Sequence, residues 1–278
     1  GDQTEVDLRL SELGAARGDA HRARHGELEP AAESEAVDGG DARLGDAALA
    51  AELGTAACRR VGDVRGEAAT LNAAGEIATR RARLVDARTA HDTAISLAHT
   101  IGDRQCEANA RLGLGEVALR EGRLVDATIA YEAALSLYQA SGDRLGQANT
   151  RLSQGELAQR AGNLAAVRLA YASALSLFQE IGDHLGEANT RLAQGMLAVR
   201  ERRLTEARQA FTDALSICQG LGERLGEANA RLAIGRLAES EGRLPDARIM
   251  LRAALHLFQT VGDLRGEANC HMAIGCLA

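Results

Sequence analysis

The chain has 278 residues, 46% of them apolar and 26% charged, a balance that supports a folded core and excludes a disordered tail. Its net charge of −7 gives no basic footprint for DNA or RNA, so no nucleic-acid partner is expected. All 32 basic residues are Arg, which excludes a Schiff-base lysine and the lysine of a phosphate-binding loop.

Residues 1–40 carry no clear period, and Pro30 and Gly39-Gly40 interrupt them; they read as degenerate helices or a cap. His21, His25 and Glu29 have metal-ligand spacing on a helix, but they sit in this irregular stretch beside Pro30, and no metal is expected there. From residue 41 to 278 the chain reads as about six repeats of 40 residues. The phrase "GDRLGQANTRLSQG" (142–155) returns as "GDHLGEANTRLAQG" (182–195) and "GERLGEANARLAIG" (222–235).

Each period divides into two helices of about 17–18 residues and two short turns. Gly142 suits the left-handed closure of one helix, and Asp143 the N-cap of the next. Gly122, Gly162 and Gly242 mark the other turn, and Pro245 falls in the first turn of the helix that follows. In the second helices, Ala94, Ala134, Ala174, Ala214 and Ala254 precede an aliphatic residue, a pattern for close helix packing. The six aromatics fall in two columns, Tyr131, Tyr171, Phe211 and Tyr138, Phe178, Phe258, and are expected in the core. The last element, ending at Ala278, is expected to be a lone helix.

The order Leu114-Gly115, Ala118, Gly122, Leu124, Ala127, Tyr131, Ala134, Leu135 resembles the tetratricopeptide repeat, whose period is usually about 34. The six extra residues and the Gly-Asp-Arg turn are similar to its longer subclass, met in the LGN/Pins scaffold, kinesin light chains and sensor arrays of STAND-type regulators. The resemblance implies an all-α, right-handed superhelical solenoid of antiparallel helix pairs, with first helices lining a concave groove. One departure is clear: Arg111, Arg151, Arg191 and Arg231 stand where the family usually has a large apolar residue. Their stems are expected in the packing and their heads at the surface.

On the first helix of the 142–181 repeat, Ala148, Leu152 and Gly155 form one face, while Asn149, Ser153, Glu156 and Arg160 form a polar stripe beside it. The stripe matches the groove-lining positions of the resembled family. Stacked repeats then align Asn109, Asn149, Asn189, Asn229 and Asn269 in one row. Glu76, Glu116 and Glu156 run beside it, followed by Met196, Arg236 and Cys276, and a further row holds Arg80, Arg120, Arg160 and Arg200. Asn amides both donate and accept, so such a row can hold the backbone of an extended peptide. Glu76–Arg80, Glu116–Arg120 and Glu156–Arg160 also have the spacing of simple intrahelical ion pairs.

Nothing in the sequence supports catalysis: there is no G-x-S-x-G, no phosphate-loop motif and no nucleophile with a plausible base. Five cysteines without a CxxC pair point to a reducing, cytoplasmic setting, and no apolar run or signal peptide implies a membrane. Cys270 and Cys276 read as substitutions at repeat positions, without metal or cofactor. A start at Gly1 suggests a region of something longer. The expectation is a non-catalytic scaffold that binds a protein or peptide. Its alternatives are a small-molecule sensor or autoinhibitory arm of a STAND-type ATPase or transcription regulator, and a self-assembly module.

Overall fold

The computed structural model describes residues 39–277. All regular structure among them is helical: α1 (Gly39–Val61), α2 (Val64–Arg80), α3 (Leu84–Ile101), α4 (Arg104–Arg120), α5 (Leu124–Ser141), α6 (Arg144–Arg160), α7 (Leu164–Ile181), α8 (His184–Arg200), α9 (Leu204–Leu221), α10 (Arg224–Ser240), α11 (Leu244–Val261) and α12 (Leu264–Cys276). Packing divides these residues into two units, Gly39–Ala170 and the residues from Tyr171 on, so the boundary falls inside α7. Gly39 and Gly40 lie within α1, the first helix of the described residues. His21, His25 and Glu29 lie outside the described residues.

The turn between repeats follows directly from its sequence. In the first unit, Gly142 closes α5 at φ 73°, and the Asp143 carboxylate accepts from Gly146 N at 2.9 Å to cap α6. In the second, Asp183 caps α8 in the same way, and the longer Glu223 side chain performs the task for α10. Such a cap satisfies amides that a helix start leaves without partners. The turn inside the repeat has no side-chain cap at Arg83, Arg123, Arg203 or Arg243, whereas Asn163 accepts from Ala166 N at 3.1 Å. It too needs one left-handed residue, which is glycine at 122, 162 and 242 but Ala82 and Arg202 in two repeats, at φ 57° and 61°.

Packing explains the remaining glycines. In the first unit α2 packs on α3 and α4 on α5, while the first helices α2, α4 and α6 also lie side by side. In the second unit α8 packs on α9 and α10 on α11, with α8, α10 and α12 adjacent. At Gly115 a Cβ would overlap the Tyr131 ring, and at Gly195 the ring of Phe211. At Gly235 it would lie 2.8 Å from Leu251 Cγ. A second notch receives the other column: Tyr138 covers Gly146 in the first unit, and Phe178 and Phe258 cover Gly186 and Gly266 in the second. All six aromatics are buried, as expected from their confinement to two columns.

His91 occupies the first large-residue column in the earliest complete repeat, fully buried. Its ring fills the space beside two glycines, Gly75 and Gly113. Nδ1 donates to Asn72 Oδ1 at 3.0 Å, and the Asn72 amide donates in turn to Glu76 Oε1 at 3.0 Å. Nε2 is left buried with no hydrogen-bond partner among the described residues. Burial lowers the His91 pKa to about 4, so the ring stays neutral at physiological pH.

These contacts give opposite outcomes for glycine. Gly115→Ala should cost about 1–3 kcal/mol, because the Tyr131 ring must move. Ala82→Gly and Arg202→Gly should each stabilise by about 1 kcal/mol by relieving a left-handed backbone; chemical denaturation of the three variants checks both signs. His91 adds a pH dependence. The unfolded ring takes up a proton near pH 6.5 and the folded ring only near 4, so stability is lost as pH falls through that window. The loss should reach about 3 kcal/mol by pH 4. His91→Leu, which places the residue type of position 251 there, should flatten that part of the profile.

Candidate functional site

The polar stripe predicted on the first helices is present, but its members differ in what they touch. In the first unit Asn149 is exposed, and Asn109 is half-buried with Oδ1 accepting from the Tyr138 hydroxyl at 2.6 Å. In the second unit Asn189 and Asn229 are exposed and Asn269 is half-buried. The amides of Asn149, Asn189 and Asn229 make no hydrogen bond among the described residues. Asn109 differs because Tyr138 has a hydroxyl, which Cys218 and Phe258 lack at the same repeat position. The repeat spacing placed Asn109 in the row; only the tertiary contact showed that its acceptor is occupied.

The charged rows of the first unit are less regular than their spacing suggests. Glu116 pairs with Arg120 at 2.8 Å as expected. Arg120 also donates to the Thr79 carbonyl at the end of α2, which ties neighbouring first helices together. Glu76 instead accepts from Asn72. Glu156 and Arg160 are both exposed and form no ion pair within 4.0 Å among the described residues. The Glu156 carboxyl is pushed above the usual carboxylate range, by loss of hydration first and then by the Glu116 carboxylate. The same two carboxylates face the buried Tyr131 phenol, which desolvation already pushes up.

The second unit presents a different surface. Met196 and Arg200 are exposed on α8, and Arg236 on α10. Arg236, Glu239, Ser240, Met272, Ala273 and Cys276 line an open hollow of about 510 Å³ between α10 and α12. No group of three metal-ligating side chains occurs among the described residues, and no described helix is long and apolar enough to cross a membrane.

Of Arg111, Arg151, Arg191 and Arg231, Arg151 donates to Gln154 Oε1 at 3.1 Å and the other three pair with carboxylates. Arg111 pairs with Glu107 at 2.6 Å in the first unit. In the second, Arg231 pairs with Glu227 at 2.7 Å, and Arg191 bridges Glu187 at 2.8 Å and Asp213 of α9 at 2.9 Å. Their heads are half-buried and engaged, rather than simply displayed to solvent. A carboxylate one turn earlier in the sequence was the available signal for this pairing. No disulfide links cysteines among the described residues, and burial pushes Cys106 and Cys218 up to about 11, which leaves them unreactive at neutral pH.

No family model and no curated protein matches the chain. Solved structures do. The crystal structure of BtubC from P. vanneervenii aligns with a TM-score of 0.67 at 16% identity, covering 79% of this chain and 92% of that one. A Rap protein complexed with Competence and Sporulation Factor aligns at 0.65 and 12% identity, covering 87% and 72%. A STAND protein with a tetratricopeptide repeat sensor from Pyrococcus horikoshii aligns at 0.70 and 12% identity, covering 98% of this chain and 43% of that one. With the 40-residue period, the paired helices and the glycine-notched packing, these likenesses establish that the chain has the all-α tetratricopeptide-type helical-repeat fold.

Proposed function

We propose that this chain is a non-catalytic scaffold that binds a protein or peptide segment on the exposed faces of its first helices. The carrying observation is the recurrence of exposed, unengaged asparagine amides at one repeat position, Asn149 in the first unit and Asn189 and Asn229 in the second. Each can donate to and accept from a ligand backbone, and leaving them unpaired in solvent costs little before binding. The solved Rap protein, seen with Competence and Sporulation Factor, and the STAND protein with its repeat sensor support a recognition role for this fold. Five cysteines without a CxxC pair support a reducing, cytoplasmic setting.

The flanking charges give each unit its own preference. In the first, Glu156 favours a ligand with a basic side chain, since Glu116 and Arg120 already pair with each other. In the second, Arg200 and Arg236 favour an acidic one.

A peptide array probed with the intact chain, then calorimetry on the captured peptides, tests this reading. Asn149→Ala, or Asn189→Ala with Asn229→Ala, should weaken capture by about tenfold, the scale of one lost buried hydrogen-bonding position. Asn109→Ala should have its main effect on stability. Basic peptides dependent on Glu156 should also bind less tightly as pH falls through its raised pKa. Capture indifferent to all three exposed asparagines would refute the proposal, and saturable binding of a small effector without peptide would favour the sensor alternative.

A further inference from the structure

Four repeats build the same cradle around a glutamate near the start of the first helix. One side comes from the end of the preceding helix. Glu67 pairs with Arg59 at 2.6 Å, Glu107 lies 3.5 Å from His99 Nδ1, and Glu187 and Glu227 accept from Gln179 and Gln219 at 2.9 and 3.1 Å. An arginine four residues on closes the other side with one edge of its guanidinium. Arg111 donates to Glu107 from Nε at 2.9 Å and Nη2 at 2.6 Å, and Arg191 to Glu187 at 3.0 and 2.8 Å. Arg231 repeats the arrangement on Glu227 at 2.9 and 2.7 Å. Desolvation alone raises a carboxyl, yet these donors hold Glu187 and Glu227 below the usual carboxylate range. The cradle is a device for holding a carboxylate.

The 142–181 repeat keeps the donors of this cradle and replaces its carboxylate. Gln147 stands at the glutamate position, and its amide donates to the Tyr138 carbonyl at 3.2 Å. Gln139, at the position of Gln179 and Gln219, is exposed near the end of α5, and its side-chain amide makes no hydrogen bond among the described residues. Arg151 is half-buried with only Nη1 engaged, at 3.1 Å from Gln154 Oε1. Its Nε–Nη2 edge, the edge that holds a carboxylate on Arg111, Arg191 and Arg231, has no partner among the described residues. A partly desolvated guanidinium edge gains most from an anion, and its planar fork matches a carboxylate.

We infer that Gln139 and Arg151 form a binding site for a carboxylate supplied from outside the described helices, in the role that glutamate fills in the other cradles. The Nε–Nη2 edge of Arg151 carries the charge and the fork, and the Gln139 amide donates from the neighbouring helix. A neutral amide at 147 leaves the site its positive charge, which a glutamate there would cancel. Arg151 lies two residues after Asn149, about 200° around α6, so the site faces away from the asparagine row and stands independently of the function proposed above.

The test titrates the whole chain, carrying isotope-labelled arginine, with N-acetyl-glutamate N-methylamide at constant ionic strength and follows the arginine Nε–Hε resonances. Arg151→Gln identifies the resonance of interest. A saturable shift of Arg151 is expected, with Arg111 and Arg231 unmoved because their edges are already filled. Gln147→Glu supplies the carboxylate from within, so it should fold at least as stably as the unaltered chain, checked by chemical denaturation, and weaken ligand binding by about tenfold or more. Gln139→Leu should weaken binding by a smaller factor, about threefold. Asn149→Ala should leave it unchanged, which separates the site from the asparagine surface. An Arg151 shift that never saturates, or that matches those of Arg111 and Arg231, would overturn the inference as ionic screening alone. So would binding that survives Gln147→Glu undiminished. A parallel titration with inorganic phosphate distinguishes the two oxyanions, and saturation by phosphate at lower concentration would overturn the assignment to a carboxylate.

Discussion

The close approach of paired helices rests on one contact, a large side chain from the second helix entering the space left by a glycine on the first. Tyr131 over Gly115, Phe211 over Gly195 and Leu251 over Gly235 are versions of it. Interiors of proteins are close-packed, so a glycine notch and the residue that fills it constrain each other. The alanines beside each large residue then bring the backbones together over the whole helix length. This is why a chain with so few aromatics still buries all six of them.

The repeats tolerate variation in this contact and reveal its limits. His91 fills the same space with a polar ring, which Asn72 and a second glycine, Gly113, accommodate at the cost of an unpaired Nε2. The resulting chain His91–Asn72–Glu76 carries a buried constraint out to a side chain on the first-helix face. Arg191 does something similar from the surface inward, holding α8 to α9 through Asp213. Position by position, the periodic skeleton stays the same while polar substitutions are absorbed by a neighbour that changes with them.

Function follows from what the packing leaves over. Helix pairing consumes one side of each first helix and leaves a polar stripe on the other, so a row of like residues arises from periodicity. Asn149 in the first unit and Asn189 and Asn229 in the second are exposed members of such a repeated position.

Much was legible in the sequence because the determinants are local and repeated. Asp143 after Gly142 defines a helix junction from adjacent residues alone, and the helices fall at the expected length of 17 and 18 residues. Burial of the aromatic columns was equally readable, since one face of a helix recurs by fixed angular steps. Contacts between helices were not. That Tyr138 occupies Asn109, that Arg120 turns to the Thr79 carbonyl, and that Glu156 and Arg160 stay apart despite their spacing all depend on side chains from other helices. The sequence by itself determined the repeat, its turns and its core-facing positions, because short-range sterics and hydrogen bonding act within a few residues. Only the tertiary structure decided which polar groups remain available to a partner, because availability is set by what packs against them in space.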